Sequence, residues 1–332
     1  MTSKRYDVLA LGNAIIDVIA TAEEDFLTGH GLVKGSMALI DEARAEALYA
    51  AMGPGKVISG GSAANTIAGL ASFGGKGAFI GKVKADQLGG LYRHDLTSLG
   101  VAFDTAAATD GPATARSFII VTPDGERTMN TYLGACQGLS PADVDPAAVE
   151  NADIVYLEGY LWDPPAAKDA FRKASEIAHK AGGRVAITLS DSFCVDRYRS
   201  EFLGLVRNRM VDLVFANEHE LKSLYETSDF DTALAGLRAE NVLAVVTRSE
   251  NGALAVTPEG IVAEPVFPIE RLVDATGAGD LFAAGFLFGL TSGRETRDCL
   301  RLGALAAAEI ISHVGARPDV GLKTLAGNNG LL

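Results

Sequence analysis

The chain has 332 residues, of which 48% are hydrophobic and 21% are charged, and these values are typical of a globular protein with a buried core. Its 42 acidic and 29 basic residues give a formal net charge of -13, which disfavours binding to nucleic acid or to an anionic membrane. Cys136, Cys194 and Cys299 stand far apart and indicate neither a disulfide framework nor a thiolate metal site. Because no long uncharged apolar stretch is present either, we expect a cytoplasmic protein.

Short apolar runs of strand length alternate with longer segments of helical character. The runs are 8–11, 78–80, 154–157, 185–189, 213–215 and 243–246. The helical segments are 63–73, 88–99, 165–181, 218–225, 231–240 and a C-terminal pair from about 278 to 313. Parallel strands need crossover connections, so this order predicts a doubly wound α/β domain, with a mostly parallel sheet covered by helices on both faces. The Gly- and Asn-rich tail, 323–332, is expected to fray.

Two stretches with β character interrupt this alternation, 21–40 and 103–133. In the second, residues 117–121 and 127–132 flank a Thr-Pro-Asp-Gly-Glu turn, which predicts a hairpin. Such insertions form either a lid over an active site or a cover for a sheet edge, and the pattern alone favours neither. We expect a small β-sheet lid. Its predicted segments are 17–40 and 103–135, and the large domain is 1–16, 41–102 and 136–332.

The most informative segment reads Asp274-Ala275-Thr276-Gly277-Ala278-Gly279-Asp280 and leads into an apolar helix. Glycines let backbone N–H groups converge, and the positive end of the helix behind them favours an anion. The segment therefore predicts a phosphate-binding loop. A carboxylate beside phosphate is repelled unless it has a task, and taking a proton from an attacking hydroxyl is one such task. Capping the first helical turn is the simpler interpretation of Asp280 on spacing alone.

A second glycine cluster, Gly60-Gly61-Ser62-Ala63-Ala64-Asn65, also precedes a helix. Asn65 can donate to and accept from the vicinal hydroxyls of a sugar, although an ordinary loop with Ser62 as N-cap explains the spacing too. The first strand ends at Gly12-Asn13, and Asp17 is a lone carboxylate in an apolar run. Asp17 is either an acceptor for substrate hydroxyls or a solvated edge residue.

Asn217-Glu218-His219-Glu220 directly follows an apolar strand and opens a helix. Asn at the N-cap with Glu three residues later is typical of a capping box. The same position, at the carboxyl end of a parallel strand, suits a carboxylate that holds magnesium. The spacing of the histidines gives little support for zinc chemistry, and no Walker-type loop or well-spaced dinucleotide motif occurs.

Together these segments resemble the ribokinase-like (PfkB) family of carbohydrate and nucleoside kinases, and more narrowly its adenosine kinase branch. The string at 274–280 is similar to the C-terminal signature of the family, Gly60-Gly61 with Asn65 to the N-terminal signature, and Asn217 with Glu220 to the magnesium and phosphate motif. The resemblance runs nearly end to end. It implies transfer of phosphate from ATP to the 5′-hydroxyl of adenosine.

The resemblance also implies a role for each matching residue. Asp280 would be the general base, and the anion hole would consist of Thr276, Gly277, Ala278 and Gly279. The ribose would contact Asn13, Asp17, Gly61, Ser62 and Asn65. ATP would contact Asn217, Thr247, Gly252 and, from the lid, Arg127. Glu220 would hold Mg²⁺, and Asp274 with Thr276 would be the nearest ligands of a K⁺ ion. Ser249 stands where the ATP motif usually has Gly, which weakens that part of the match.

The adenosine assignment depends on its own set of segments. It rests on the segments 127–129, 133–135, 190–193 and 315–318, which are similar to adenosine-kinase-like chains. Leu133 and Tyr160 are candidates for a wall against adenine, or simply pack in the core. The alternatives are a kinase for ribose, fructose, inosine or guanosine, a catalytically silent ligand-binding regulator, and a nicotinamide-dependent dehydrogenase, which the glycine spacing disfavours. A monomer and a homodimer are both compatible with the sequence.

Overall fold

The computed structural model describes residues 4–332. Within these residues the strands are β1 Tyr6–Leu11, β2 Ile15–Thr21, β3 Met37–Leu39, β4 Lys56–Ser59, β5 Gly77–Ile80, β6 Ala115–Val121, β7 Arg127–Tyr132, β8 Ala152–Glu158, β9 Arg184–Thr188, β10 Leu213–Asn217, β11 Leu243–Thr247, β12 Ala253–Thr257 and β13 Gly260–Glu264. The α-helices are α1 Glu24–Gly29, α2 Glu42–Ala51, α3 Ser62–Ser72, α4 Gln87–Ser98, α5 Pro146–Glu150, α6 Pro165–Lys180, α7 Ser192–Arg207, α8 Glu218–Leu224, α9 Phe230–Ala239, α10 Ala278–Thr291, α11 Thr296–Ile310 and α12 Leu322–Asn328.

Eight strands form the large sheet, in the order β13-β12-β11-β10-β9-β8-β1-β5. All neighbours from β5 to β11 pair in parallel, and β12 and β13 add an antiparallel edge. The predicted α/β class with a mostly parallel sheet is confirmed, and all six predicted apolar runs are strands of it. The antiparallel edge and α7 are additions that the apolar runs did not indicate.

The two faces of the large sheet bury separate cores, because successive side chains of a strand point to opposite sides. Leu9 and Leu11 of β1 pack in a core with Phe171 of α6, whereas Val8 and Ala10 pack in another with helices α3 and α10. Strands buried on both faces read as continuous apolar runs, which is why the sequence revealed them. The helices α3 and α10 therefore lie on the same face.

The second, small sheet has the order β3-β7-β6-β2-β4. Strands β6 and β7 form the predicted hairpin, with antiparallel pairing across the turn at 122–126. The small sheet extends beyond the two predicted insertions, because β4, at 56–59, pairs with β2 although the predicted boundaries placed it in the large domain. Its short, mostly exposed sequence carries little apolar signal.

The carboxyl ends of β1 and β8 mark a switch point of the large sheet. The chain leaves β1 towards β5 on one side and leaves β8 towards β9 on the other. In open α/β sheets such a divergence opens a crevice at the strand ends, where ligands bind. Asn13 follows β1, and Glu158 ends β8.

The C-terminal tail is ordered, so the expectation of fraying is wrong. Helix α12 spans most of it, and Leu322, Ala326 and Leu331 are buried in a cluster with α10 and α11. The burial of these three apolar residues holds the tail in place despite its Gly and Asn content. Among the helices of residues 4–332, none combines the length and apolar character that crossing a membrane requires.

Candidate active site

The start of α10 is an open helix N-terminus at the crevice. Gly277 is its N-cap, with the left-handed φ of 79°, and a Cβ there would lie 2.9 Å from that of Ala316. The first N–H groups of a helix have no partner within it, and Gly277 has no side chain to cap them. A Cβ on Gly279 would meet nothing within 4 Å. The predicted anion hole therefore has free space beside it.

Asp280 is the third residue of α10, and its carboxylate accepts hydrogen bonds from two side chains of α3. Ser62 Oγ donates to its Oδ1 at 2.6 Å, and Asn65 Nδ2 donates to its Oδ2 at 3.0 Å. Burial raises the pKa of Asp280 to about 6, although these two hydrogen bonds and Arg317 lower it. A carboxyl group with this pKa is ionised at neutral pH and basic enough to accept a proton.

The start of α3 depends on two close approaches. Its N-cap Gly61 has a φ of 91°, and a Cβ there would lie 2.2 Å from the carbonyl oxygen of Asn13. A Cβ on Gly60 would lie 2.2 Å from Oδ2 of Asp17. The two glycines therefore let the end of β1, the β2 carboxylate and the first turn of α3 meet. The structure thus brings Asn13, Asp17 and Gly61 together, and their contact with a ribose stays a prediction.

Asp17 lies on β2 of the small sheet and is partly exposed. Burial raises its pKa to about 7, and the nearby Asp280 adds to the rise, while Arg317 and Arg127 lower it. Asp17 and Asp280 therefore belong to one electrostatic cluster, formed where the small sheet meets the large domain.

Asn65 has an acceptor without a partner. Its side chain is 5% exposed, and its Nδ2 is used by Asp280, but no group of the described chain donates to its Oδ1. A buried polar atom costs free energy unless it is hydrogen-bonded. The Asn65 oxygen therefore calls for a donor from outside the chain, such as a hydroxyl group.

Glu158 is a site residue that the sequence reasoning missed. It is 1% exposed and accepts hydrogen bonds from Asn13 and from the backbone of Ala63. Burial raises its pKa to about 7, against the effect of these hydrogen bonds. The available signal was a carboxylate at the end of an otherwise apolar strand, directly after the predicted run 154–157.

Arg317 was noticed only as part of a similar C-terminal segment. Its guanidinium donates to the carbonyl oxygens of Ser59 and Ala64, at 3.1 and 2.7 Å. Its charge lowers the pKa of Asp17 and of Asp280. Arg317 thus ties β4 of the small sheet to α3 and supplies positive charge to the acidic cluster.

The predicted ATP contact Arg127 lies against the glycine-rich segment 274–280. Its guanidinium forms an ion pair with Asp274 and donates to Thr276 Oγ1 at 3.2 Å. Asp274 also accepts from the backbone N–H groups of Thr276 and Gly315 at 3.0 and 2.9 Å. Both Asp274 oxygens are used within the protein, and its role as a K⁺ ligand stays a prediction.

A family model described as pfkB family carbohydrate kinase matches residues 7–321. The chain belongs to this family. It is therefore a kinase, and family membership implies ATP as donor and usually Mg²⁺. The expected resemblance and the ribokinase-like fold are confirmed.

Several relatives of this pfkB kinase carry different substrate names. An adenosine kinase from Sinorhizobium meliloti is 54% identical, with a TM-score of 0.92 and coverage of 98% of this chain and 99% of that one. A probable sugar kinase from Rhizobium etli CFN 42 is 51% identical, with a TM-score of 0.94 and coverage of 99% and 100%. An ATP-dependent ribose-1-phosphate kinase from Halopiger xanaduensis is 31% identical over 264 residues, 78% of this chain and 82% of the relative.

Three of the four predicted ATP contacts of this pfkB kinase lie near the carboxyl ends of β10 and β11, and the fourth, Arg127, lies on β7 of the small sheet. Asn217 and Thr247 are paired neighbours at the ends of β10 and β11, and Gly252, with a φ of 79°, closes the turn into β12. Asn217 and Glu220 form the complete capping box, with bonds of 2.6, 2.9 and 3.0 Å. The capping interpretation is therefore confirmed, and it leaves a magnesium role open.

Glu220 and the acidic side chains that raise its pKa are oxygen donors of the kind that Mg²⁺ binds, and the role of Glu220 in holding the ion stays a prediction. Burial raises the pKa of Glu220 to about 7, and Asp191 and Asp280 add to the rise. Carboxylates that repel one another in this way gain from a hard cation. Mg²⁺ takes one or two of them and fills its remaining positions with water and phosphate oxygens. Residues 4–332 contain no group of three or more His, Cys, Asp or Glu side chains arranged for a metal, so no all-protein cage forms there.

The two predicted adenine-wall residues come from different parts of the fold. Leu133 follows β7 of the small sheet and is half-buried, and Tyr160 follows β8 and is 37% exposed. Burial raises the pKa of the Tyr160 phenol, and Asp191, Glu220 and Asp280 add to the effect. Their contact with a base stays a prediction.

Proposed function

We propose that this pfkB kinase transfers the γ-phosphoryl group of ATP to the 5′-hydroxyl of adenosine, giving AMP and ADP. The observation that carries the proposal is the arrangement at α10. A carboxylate that is basic enough to accept a proton lies beside an uncapped helix start, and Ser62 and Asn65 of the opposite helix fix its orientation. This combination is what phosphoryl transfer to an alcohol requires.

In the proposed reaction Asp280 accepts the proton of the 5′-hydroxyl as its oxygen attacks the γ-phosphorus, and the bond from phosphorus to the β,γ-bridging oxygen of ATP breaks. The N–H groups at the start of α10 stabilise the negative charge on the transferred phosphoryl oxygens. Glu220 would hold Mg²⁺, which would neutralise phosphate charge when bound. Asp17 and the free Oδ1 of Asn65 accept hydrogen bonds from the ribose hydroxyls.

Adenosine is supported over other acceptors by the Sinorhizobium meliloti adenosine kinase, at 54% identity over 98% of the chain. The ring of Tyr160 and the side chain of Leu133 offer apolar surface of the kind that a purine needs. The second candidate is a sugar or sugar-phosphate acceptor. The Rhizobium etli and Halopiger xanaduensis relatives favour it, because their names refer to such substrates.

An acceptor panel tests the proposal. Purified protein with ATP and Mg²⁺ is given adenosine, inosine, guanosine, ribose, fructose or ribose 1-phosphate, and ADP release is measured with and without acceptor. We expect adenosine to give the highest kcat/KM. A higher value for a sugar would replace adenosine by the second candidate, and absence of ADP release with every acceptor would contradict the kinase site itself. A Tyr160→Ala variant should raise the KM of adenosine but not that of ribose.

A further inference from the structure

We propose that Glu158 is a positioning residue, whose buried carboxylate holds Asn13 and the first turn of α3 in the arrangement that the acceptor site needs. This inference rests on the proposed phosphoryl transfer for its link to activity. Its structural part concerns contacts within the chain alone.

Three N–H donors converge on the Glu158 carboxylate. Oε1 accepts from the side-chain Nδ2 of Asn13 at 2.7 Å and from its backbone N at 3.2 Å, and Oε2 accepts from the backbone N of Ala63 at 2.9 Å. Because an ionised carboxylate only accepts hydrogen bonds, these three donors favour the ionised form of Glu158 and oppose the rise in its pKa that burial causes. Glu158 therefore joins the end of β8 to the end of β1 and to the start of α3.

The contact with Asn13 fixes which side-chain atom Asn13 presents. Because its Nδ2 donates to a carboxylate, its Oδ1 is the atom left to accept a hydrogen bond from another group. An amide turned the other way would place two oxygens against each other. Glu158 thus makes Asn13 a hydrogen-bond acceptor, the same character that Asn65 Oδ1 and Asp17 have in this crevice.

The contact with Ala63 caps α3 from a distance. The N-cap of this helix is Gly61, which has no side chain to satisfy the first N–H groups. Glu158, 95 residues away, supplies the missing oxygen and a negative charge at the positive end of the helix. Ser62 and Asn65 of the same turn bind Asp280, so Glu158 also limits where the general base can lie.

Glu158 acts through other residues because it is closed off from the crevice. It is 1% exposed, and both of its oxygens already accept hydrogen bonds from Asn13 and Ala63. The positions of Glu158 and Asp280 on either side of the first turn of α3 explain how a residue without substrate contact can affect the reaction.

A Glu158→Gln variant tests the inference. Glutamine has one acceptor oxygen, and its NH₂ group would face one of the three donors. A buried donor without an acceptor is costly, so we expect the acceptor KM to rise roughly tenfold and kcat to fall, with the KM of ATP unchanged. Glu201→Gln is the control, because Glu201 accepts hydrogen bonds from Trp162 and Lys168, outside the residues assigned here to the crevice.

A double-mutant cycle separates positioning from general stability. If Glu158 acts through Asn13, the rise in acceptor KM caused by Glu158→Gln shrinks in an Asn13→Ala background. Additive effects, equal rises in both KM values, or unchanged kinetics would overturn the inference. Glu158→Asp serves if Glu158→Gln does not fold, since it keeps the charge but cannot reach both partners, and the same cycle applies.

Amide hydrogen exchange gives a readout that does not depend on the acceptor. Glu158→Gln should speed exchange in peptides covering 61–66, while peptides from α6 keep their protection. Unchanged exchange at 61–66 would contradict the proposal that Glu158 caps the start of α3. If the panel finds no activity with adenosine but activity with a sugar, the proposed substrate fails, and the cycle is run with that sugar.

Discussion

Two helices start at the crevice with a glycine N-cap, and they use that start in opposite ways. At α3 the N-cap Gly61 has a φ of 91° and carries no capping side chain, and at α10 the N-cap Gly277 has a φ of 79° and likewise carries none. The α3 start is filled by the Glu158 carboxylate, which accepts from Ala63. The α10 start has open space at Gly279. The protein places a carboxylate at the α3 start and leaves the α10 start open.

The comparison shows that a glycine-capped helix start is not an anion site until its surroundings are known. The same local geometry serves as a rigid anchor at α3 and as a candidate phosphate site at α10. The two starts are also joined, because Ser62 and Asn65 of α3 hold Asp280 of α10. The filled start therefore orients the base at the open one.

Asp280→Asn is the change at the α10 start from which we expect the largest loss of turnover. Asparagine keeps the shape and can still bind Ser62, but it cannot accept the substrate proton, so kcat should fall by about 10²- to 10⁴-fold. The KM of the acceptor should change little in steady-state assays. Asp298→Asn, in the first turn of α11, is the matched control for a mere helix-dipole effect. Equal losses in the two variants would remove Asp280 from the role of base.

Gly279→Ala asks whether the open space at α10 is used. The new Cβ would meet no protein atom, and alanine favours a helix over glycine by about 0.5–1 kcal/mol, so thermal stability should be kept or raised. If phosphate occupies that space, turnover should drop by roughly 10² through loss of a close N–H contact. Gly90→Ala, an equally unobstructed position in α4, is the control. Full activity of Gly279→Ala would mean that phosphate lies elsewhere.

Arg317→Met tests the charge balance between the two starts. With a pKa of about 6 for Asp280, kcat/KM should fall tenfold per pH unit well below pH 6, as the base becomes protonated. Arg317 lowers that pKa. Its removal should therefore move the acid limb, which is the acidic side of the plot of kcat/KM against pH, to higher pH by roughly one unit or less. Arg317→Lys keeps the positive charge, so the pH at which kcat/KM falls should stay the same. If the pH at which kcat/KM falls shifts equally in both variants, the shift results from lost packing and not from lost charge.

Ser62→Ala is the mildest change to the link between the starts. It removes the 2.6 Å hydrogen bond to Asp280 and leaves that of Asn65, so we expect a loss in kcat of about threefold to tenfold. The acid limb should rise slightly, since this bond lowers the pKa of Asp280. Ser98→Ala is the control, because its hydroxyl donates only to a carbonyl within α4. A loss as large as that of Asp280→Asn would show that Ser62 itself touches a reacting group.

Much of the fold could be predicted because strands buried on both faces are continuous apolar runs, as in 185–189 and 213–215. The small sheet was harder, since β4 has mostly exposed residues and pairs with a strand that is distant in sequence. Asp280, Asn65 and Asp17 stood out as polar residues in glycine-rich or apolar surroundings. Glu158 and Arg317 did not, because their importance lies in partners that local sequence does not reveal.

The sequence by itself determined the alternation of strands and helices, the two glycine turns, and the presence of a carboxylate after the second one. These are local properties, fixed by backbone freedom at glycine and by the spacing of apolar side chains. Only the tertiary structure decided which helix start stays open and which side chains surround the Asp280 carboxylate. Both depend on groups far apart in the chain, because Ala63 and Glu158 are 95 positions apart and Ser62 and Asp280 are 218 positions apart. The packing of α3 and α10 on one face of the sheet brings these groups within hydrogen-bonding distance.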